Sequence, residues 1–449
     1  MIFGHPLQSF LGDKMSNWNF SDLETWDDRI CKIAESYNLD WFPIIYEVVD
    51  YFEMMGHMAY HGMPSHYRHW SYGKSFERTH QMYNLGMEGL PYELIINSNP
   101  SIAYLMRENP LYLQILIMAH CVGHSDFFKN NRIFSSTYPN STIMKFKTAR
   151  DRVKKYIEDP NIGVEKVEEI LDAAHSVRFQ TIRSGKERIP HKKIKSELID
   201  KINKSSGGDV ENSDRLNKVP IHPDQDLLGF IVEHGHHLEE WERDLIDIVR
   251  EESHYFIPQI KTKIMNEGWA SFWHYKIMHE LDLPSSLHVP FLKSHNQVIR
   301  PHIGAINPYH LGFYLFKKIE ETEGLEECFF NREIHDDESA LRCLLERKDC
   351  ENLNLFSYSH KKKGITIDEV SDEDGWKIVR NDLLSSVGTN SIPRILVKDV
   401  NDGELILEHD HDGRDLELNY SEAVVNHILR LWKGGVRFFT IIEDEVWEI

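Results

Sequence analysis

The run LYLQILIMAHCVGHSDFF, residues 111–128, constrains this chain more than any other segment. Asn109-Pro110 reads as an N-cap followed by a first-turn proline, so the run opens as a helix. Apart from Gln114 and the pair His120 and His124 it has almost no polar face. A helix that is apolar all round is stable in water only when other elements bury it on every side. A chain of 449 residues can supply that cover and exceeds the size of one growing core, so two or more domains are expected.

Other segments follow the same logic. In 43–60 (PIIYEVVDYFEMMGHMAY) Ile44, Val48, Phe52, Met55 and Ala59 fall on one helical stripe, and Pro43 suits a first turn. The stretch that follows, HGMPSHYRHWSYGKSFERTHQMYNLG, is read as an ordered, irregular connection. Residues 145–217 form a charged helical insertion that ends in a polar loop at 204–217. One long helix is expected from Asp226 to Phe256, stopped by Pro258, and a second buried helix in KTKIMNEGWASFWHYKIMHEL from 261. Beyond Leu325 the pattern changes to strands: NLFSYS, ITIDEV, RILVKDV, GELILEH, LELNY and VRFFTII, with helices near 372–386 and 421–433. The expected architecture is a mainly α N-terminal domain, 1–324, with a smaller α+β C-terminal domain, 325–449, built of two strand-hairpin-helix units.

Charge and cysteine usage exclude several classes. Lys+Arg 51 against Asp+Glu 72 gives a net charge of -21, which repels a phosphate backbone, so no nucleic-acid partner is expected. Five scattered cysteines without a CxxC argue against a disulfide framework or zinc ribbon and fit a reducing cytoplasm. The start lacks a charged segment leading into an apolar one, and no stretch of about 18 uncharged apolar residues occurs, so neither secretion nor a membrane span is expected. Histidine is abundant, with 26 residues, many beside aromatics.

Three constellations carry candidate chemistry. His120 and His124 lie one turn apart on one face, the spacing with which two imidazoles chelate one metal ion; the alternative is two core histidines, each hydrogen-bonded. Zinc hydrolases of the HExxH type carry a glutamate base directly after the first histidine, and here that position is Cys121. In VEHGHHLEEWERDLIDIVREESHYF, Glu252 falls at the centre of the apolar face with His234 on its stripe and Glu251 and His237 at the margins. A buried glutamate is costly unless ion-paired, hydrogen-bonded or metal-bound, so Glu252 is either a salt-bridge partner or a functional carboxylate. Glu251 and His254 have the ExxH spacing of di-iron helices, but a second such helix is missing. In NEGWASFWH, Glu267 has the context of a third metal ligand on a later helix. His274, about 10 Å further along, is better cast as a proton-transfer residue or a support for a ligand. Lys74 and Glu77 are weaker candidates, and EHDHDG at 408–413 is read as a hairpin turn rather than a calcium loop.

HWSYGKSFE, YELIINSNPSIAYLM, AHCVGHSDFFKNN, REESHYFIPQIKTKIMNEGWASFWH and INPYHLGFYLF, in this order, resemble the stage V sporulation protein R (SpoVR) family. The resemblance implies a cytosolic protein of stress or developmental physiology, in spore-formers and other bacteria alike. It also implies a serine protein kinase and a von Willebrand A-domain-like protein as partners. The histidine-pair and EGWA segments are similar to the metal-binding core of gluzincin-type peptidases, which implies a zincin-like helical core. The 145–217 region and the extra histidines at 234–237 depart from the family pattern.

The expectation is a metal-dependent hydrolase-like protein acting on an amide bond. His120, His124 and Glu267 would bind zinc or another divalent ion, Glu252 or Glu251 would serve as base, and His274 would assist. A non-catalytic regulatory or scaffold protein with a structural His/Glu cluster is the alternative.

Overall fold

The computed structural model describes residues 18–84, 93–183, 188–204, 216, 218–302, 306–361 and 364–449. The first part of the chain order is α1 (Phe20–Ser36), β1 (Ile44–Val49), α2 (Tyr51–Ala59), α3 (Trp70–Asn84), β2 (Glu93–Ile96), β3 (Ser101–Met106), α4 (Leu111–Asn130), α5 (Thr142–Glu158), α6 (Gly163–Ser176) and α7 (His191–Lys204). There follow α8 (Leu227–His234), α9 (Glu240–Lys261), α10 (Lys263–Glu280), α11 (Ser285–Val298), α12 (Pro308–Thr322), α13 (Leu325–Ile334), α14 (Asp337–Leu344) and α15 (Arg347–Asn352). The remainder is β4 (Phe356–Lys361), β5 (Gly364–Val370), α16 (Trp376–Ser386), β6 (Ile395–Asn401), β7 (Glu404–His409), α17 (Leu418–Trp432), β8 (Val436–Ile442) and β9 (Glu445–Glu448). The chain is thus mainly helical, with strands concentrated in its C-terminal part.

These elements form two discontinuous units. Met1–Arg150 with Pro258–Gly388 makes the first, and Asp151–Ile257 with Thr389–Ile449 the second. The two C-terminal strand-and-helix groups fall one in each: β4, β5 and α16 in the first, β6–β9 and α17 in the second.

In the first unit, α4 is buried along almost its whole length, from Leu113 to Phe128. Its cover comes from α1, α10, α11, α13 and a three-stranded sheet of order β1-β3-β2. β1 runs parallel to β3, with Ile44 opposite Ser101 and Val49 opposite Met106, while β2 is antiparallel. Asp126, buried on α4, accepts from Trp269 Nε1–H of α10 at 2.8 Å and from the Asp40 N–H at 2.8 Å, and Arg332 Nε lies 3.4 Å away. Burial pushes its carboxyl up to about 6, with Arg332 and the two hydrogen bonds pulling the other way.

The helix contacts depend on missing side chains. A Cβ on Gly123 of α4 would lie 2.7 Å from Ala270 Cα of α10, and one on Gly268 would lie 2.4 Å from Gly312 Cα of α12. The three helices therefore meet backbone to backbone at these points. Asp337 holds the start of α10, accepting from the N–H groups of Ile264 and Met265 at 2.9 Å each.

In the second unit, β6 and β7 form a hairpin across Asp402-Gly403, whose φ values of 51° and 84° suit a two-residue I′ turn. β7 and β8 are parallel, with α17 as the crossover, and β9 closes the sheet antiparallel to β8. Ile395, Val397, Leu405, Leu407 and Phe438 form its buried face, and α17 packs on β8 and α6.

Several expectations are corrected. Residues 44–49 are a strand rather than the first turns of a helix, because IIYEVV is rich in β-branched residues and gains a full register with β3; the helix begins after the Asp50 capping box. The irregular connection contains α3. Pro110, not Asn109, is the N-cap of α4. The expected helix 226–256 is broken at Gly235 into α8 and α9, which leaves His237 exposed. Pro258 lies inside α9 rather than ending it, and its carbonyl accepts from Thr262 Oγ1 at 2.7 Å. Helices α13–α15 precede the first C-terminal strand. LELNY opens α17, capped by the Glu417 carboxylate, and EHDHDG leads from β7 toward that helix rather than forming a hairpin. The polar loop expected at 204–217 lies almost wholly outside the described residues.

Gly312→Ala should destabilise the protein by roughly 1–3 kcal/mol through overpacking against α10. Gly73→Ala on exposed α3, where a Cβ meets nothing within 4 Å, should be neutral or stabilising by up to about 1 kcal/mol. Urea midpoints decide the matter, and equal midpoints for the two variants would refute the backbone-contact account.

Candidate functional site

α4 presents His120 and His124 one turn apart, and the Gly123–Ala270 contact brings the start of α10 over them. Glu267 Oε2 then lies 3.6 Å from His120 Nε2 and 3.4 Å from His124 Nε2. One ligand atom from each of the three residues lies within 4.8 Å of the other two, the arrangement a single cation needs. Both histidines are buried, with Glu267 slightly more open. Burial works against the Glu267 charge, yet hydrogen bonds and charge from His120 and His124 hold its carboxyl far below the usual range.

The outer nitrogens of the two imidazoles are also engaged. His124 Nδ1 lies 2.8 Å from Asn266 Oδ1, so that nitrogen donates, and Nε2 is the atom that faces Glu267. His120 Nδ1 meets His274 Nδ1 at 2.8 Å, and His274 Nε2 meets His295 Nδ1 of α11 at 2.8 Å. The Tyr309 ring, at the start of α12, stacks on His120 with centroids 6.1 Å apart. Burial, then the neighbouring charge of His120 and His295, pushes His274 well below the usual histidine range. Burial, with smaller contributions from His279 and His120, lowers His295 to about 4.

The structure therefore brings four of the six sequence-selected residues together: His120, His124, Glu267 and His274. The other two, Glu251 and Glu252, belong to α9 in the second unit. Glu251 is exposed and lies 3.4 Å from Arg250 Nη1; Glu252 is buried. His254 is tied to Thr181 Oγ1 at 2.7 Å. Lys74 and Glu77 are exposed on α3, the lysine over the Trp70 ring and the glutamate accepting from Gln81 Nε2. Sequence reasoning missed Asn266, His295 and Tyr309. Asn266 directly precedes Glu267, and an amide beside a candidate ligand on a buried helix is itself a signal. His295 follows Phe291 by one turn on the buried stripe of α11, which marks it as inward-facing.

The chain is thus a mainly helical protein with a His/His/Glu group shared between two helices of its core. Residues 17–392 match the SpoVR like protein family and residues 393–443 the SpoVR-like C-terminal domain, so the chain belongs to the SpoVR family. It is 32% identical over 480 residues to the "Uncharacterized protein YcgB" of Escherichia coli (strain K12), covering 95% of this chain and 93% of that protein. No solved structure matches the chain. Among the described residues, no helix is long and apolar enough to cross a membrane.

His295 sets a pH dependence. An unfolded histidine titrates near its ordinary 6.5, whereas folded His295 titrates near 4. Between these values the unfolded chain binds a proton that the native chain does not. Stability is therefore full above about pH 6.5 and falls as pH drops toward 4, by roughly 3 kcal/mol from this residue. Melting temperatures of chelator-treated protein should decline over that window, with a shallower decline in His295→Asn. Identical slopes would remove His295 as a source.

Proposed function

We propose that this SpoVR-family protein is a metal-dependent hydrolase-like protein in which His120, His124 and Glu267 bind one divalent ion, zinc in the first instance. The observation that carries this reading is the donor spacing. Donors about 2.1 Å from a tetrahedral centre lie about 3.4 Å from one another, and the separations from Glu267 Oε2 are 3.4 and 3.6 Å. Two neutral imidazoles and a carboxylate are the donor set of catalytic zinc sites that keep a fourth position open. When bound, such an ion supplies an acidified water and a Lewis acid for a carbonyl. Asn266 orients His124, and His274 abuts His120. An amide bond is the proposed substrate class, and the likeness of the histidine-pair and EGWA segments to gluzincin-type peptidases is its support. Glu252, with Glu251 beside it, is assigned as base from the sequence.

A second reading is favoured by one observation. Cys121 occupies the position of the usual base and is fully buried in the apolar core. A regulatory or scaffold protein, with the cluster holding the helices together, would have that feature.

Elemental analysis of protein purified without an affinity tag separates these readings. Near-stoichiometric zinc is expected in the wild type, with loss in His120→Ala and His124→Ala and weakened retention in Glu267→Gln. Metal-free, stable wild-type protein would sink the metal reading and leave the scaffold reading standing. Glu252→Gln should retain zinc while losing turnover of any amide substrate found; unchanged turnover would remove Glu252 as base.

A further inference from the structure

The two proposed histidine ligands are held in unlike ways. His124 Nδ1 faces an amide oxygen, which only accepts, so its tautomer is fixed locally. His120 Nδ1 faces another imidazole nitrogen, which can accept or donate, and that imidazole in turn faces a third. All three rings are buried, His274 fully. For three neutral rings joined by two such contacts, one proton lies in each contact, so the chain has two self-consistent directions.

In one direction His120 donates from Nδ1 to His274 Nδ1, and His274 donates from Nε2 to His295 Nδ1. His120 Nε2 then carries a lone pair toward Glu267 and His124. In the other direction His295 donates from Nδ1 to His274 Nε2, and His274 donates from Nδ1 to His120 Nδ1. His120 Nε2 then carries a hydrogen aimed at the Glu267 carboxylate, and cannot bind a cation. Passing from the second state to the first removes one proton from His120 Nε2 and places one on His295 Nε2; no ring becomes charged and the proton count is unchanged.

We propose that His295, acting through His274, is a positioning residue that selects the tautomer of His120 and so turns the ligand group between cation-accepting and closed forms. This rests on the metal-ligand reading of His120, His124 and Glu267. Its geometric basis is the pair of 2.8 Å contacts and the burial of all three rings. His295 reaches the cluster from α11, a helix that carries none of the three proposed ligands, and its link to His120 runs through His274.

Zinc affinity of the full-length chain, measured by competition with a chromophoric chelator, tests the inference. His295→Asn keeps an acceptor near the Nδ1 position and should bind zinc within about 3-fold of wild type. His295→Leu removes the acceptor and should weaken binding by about 10-fold or more, the range typical of residues that support a metal ligand. Equal affinity in the Leu variant would overturn the role of His295 while leaving the metal reading intact; a wild type that binds no zinc would overturn both. Should the Leu variant not fold, imidazole ¹⁵N shifts of wild-type protein decide. Zinc-loaded protein should show His120 protonated at Nδ1 and His274 at Nε2, and His274 protonated at Nδ1 would refute the proposal.

Discussion

Everything at the candidate site depends on how closely three helices approach. Leucine-sized side chains between α4 and α10 would hold their axes about 8–10 Å apart. Glycine at 123 and 268, facing Ala270 and Gly312, lets backbone meet backbone. Glu267 sits immediately before one of those contacts, and His124 immediately after the other. The carboxylate therefore reaches the imidazoles with an ordinary side chain and no distortion of either helix. The EGWA segment has a physical reading residue by residue: a carboxylate for the cluster, a glycine for α12, a tryptophan that donates to Asp126, and an alanine for Gly123.

Such an arrangement is costly to keep as mere packing. A carboxylate and several imidazoles withdrawn from water lose solvation that their mutual contacts only partly return, and well-packed apolar residues of similar volume are often as stable or more so. The same unit already has a structural polar lock in Asp126, with Trp269, Asp40 and Arg332 around it. There the hydrogen-bond donors converge on one carboxylate. In the His/Glu cluster two imidazole nitrogens, each able to donate or accept, face one carboxylate oxygen. The first group fastens the helices, and the contrast is consistent with the ligand-binding role proposed for the second.

The site was legible where chemistry and helical spacing coincide. His120 and His124 could be read from one turn of a helix with no other polar face, and Glu267 and His274 from a second apolar helix. What could not be read was the third dimension: α11 lies outside both motifs, and its His295 is one more histidine in a rich sequence until the fold sets it against His274. The N-terminal sheet was missed for a related reason. Ile44, Val48 and Phe52 satisfy a helical period by coincidence, and only pairing with β3 decides for strand. His237 illustrates the opposite error source, because helical phase carried back from Trp241 through Gly235 assumed one continuous helix where the backbone turns.

The cysteine after His120 is more than a missing glutamate. Position 121 lies fully buried within the apolar core. Val122 is fully buried as well, and Gly123 faces Ala270. All three residues between the histidines are thus committed to packing. A glutamate at 121 would bring a carboxylate into that core at a cost its neighbours do not offset. On the proposed hydrolase reading, a base would therefore have to come from another segment, with this helix contributing His120 and His124 alone.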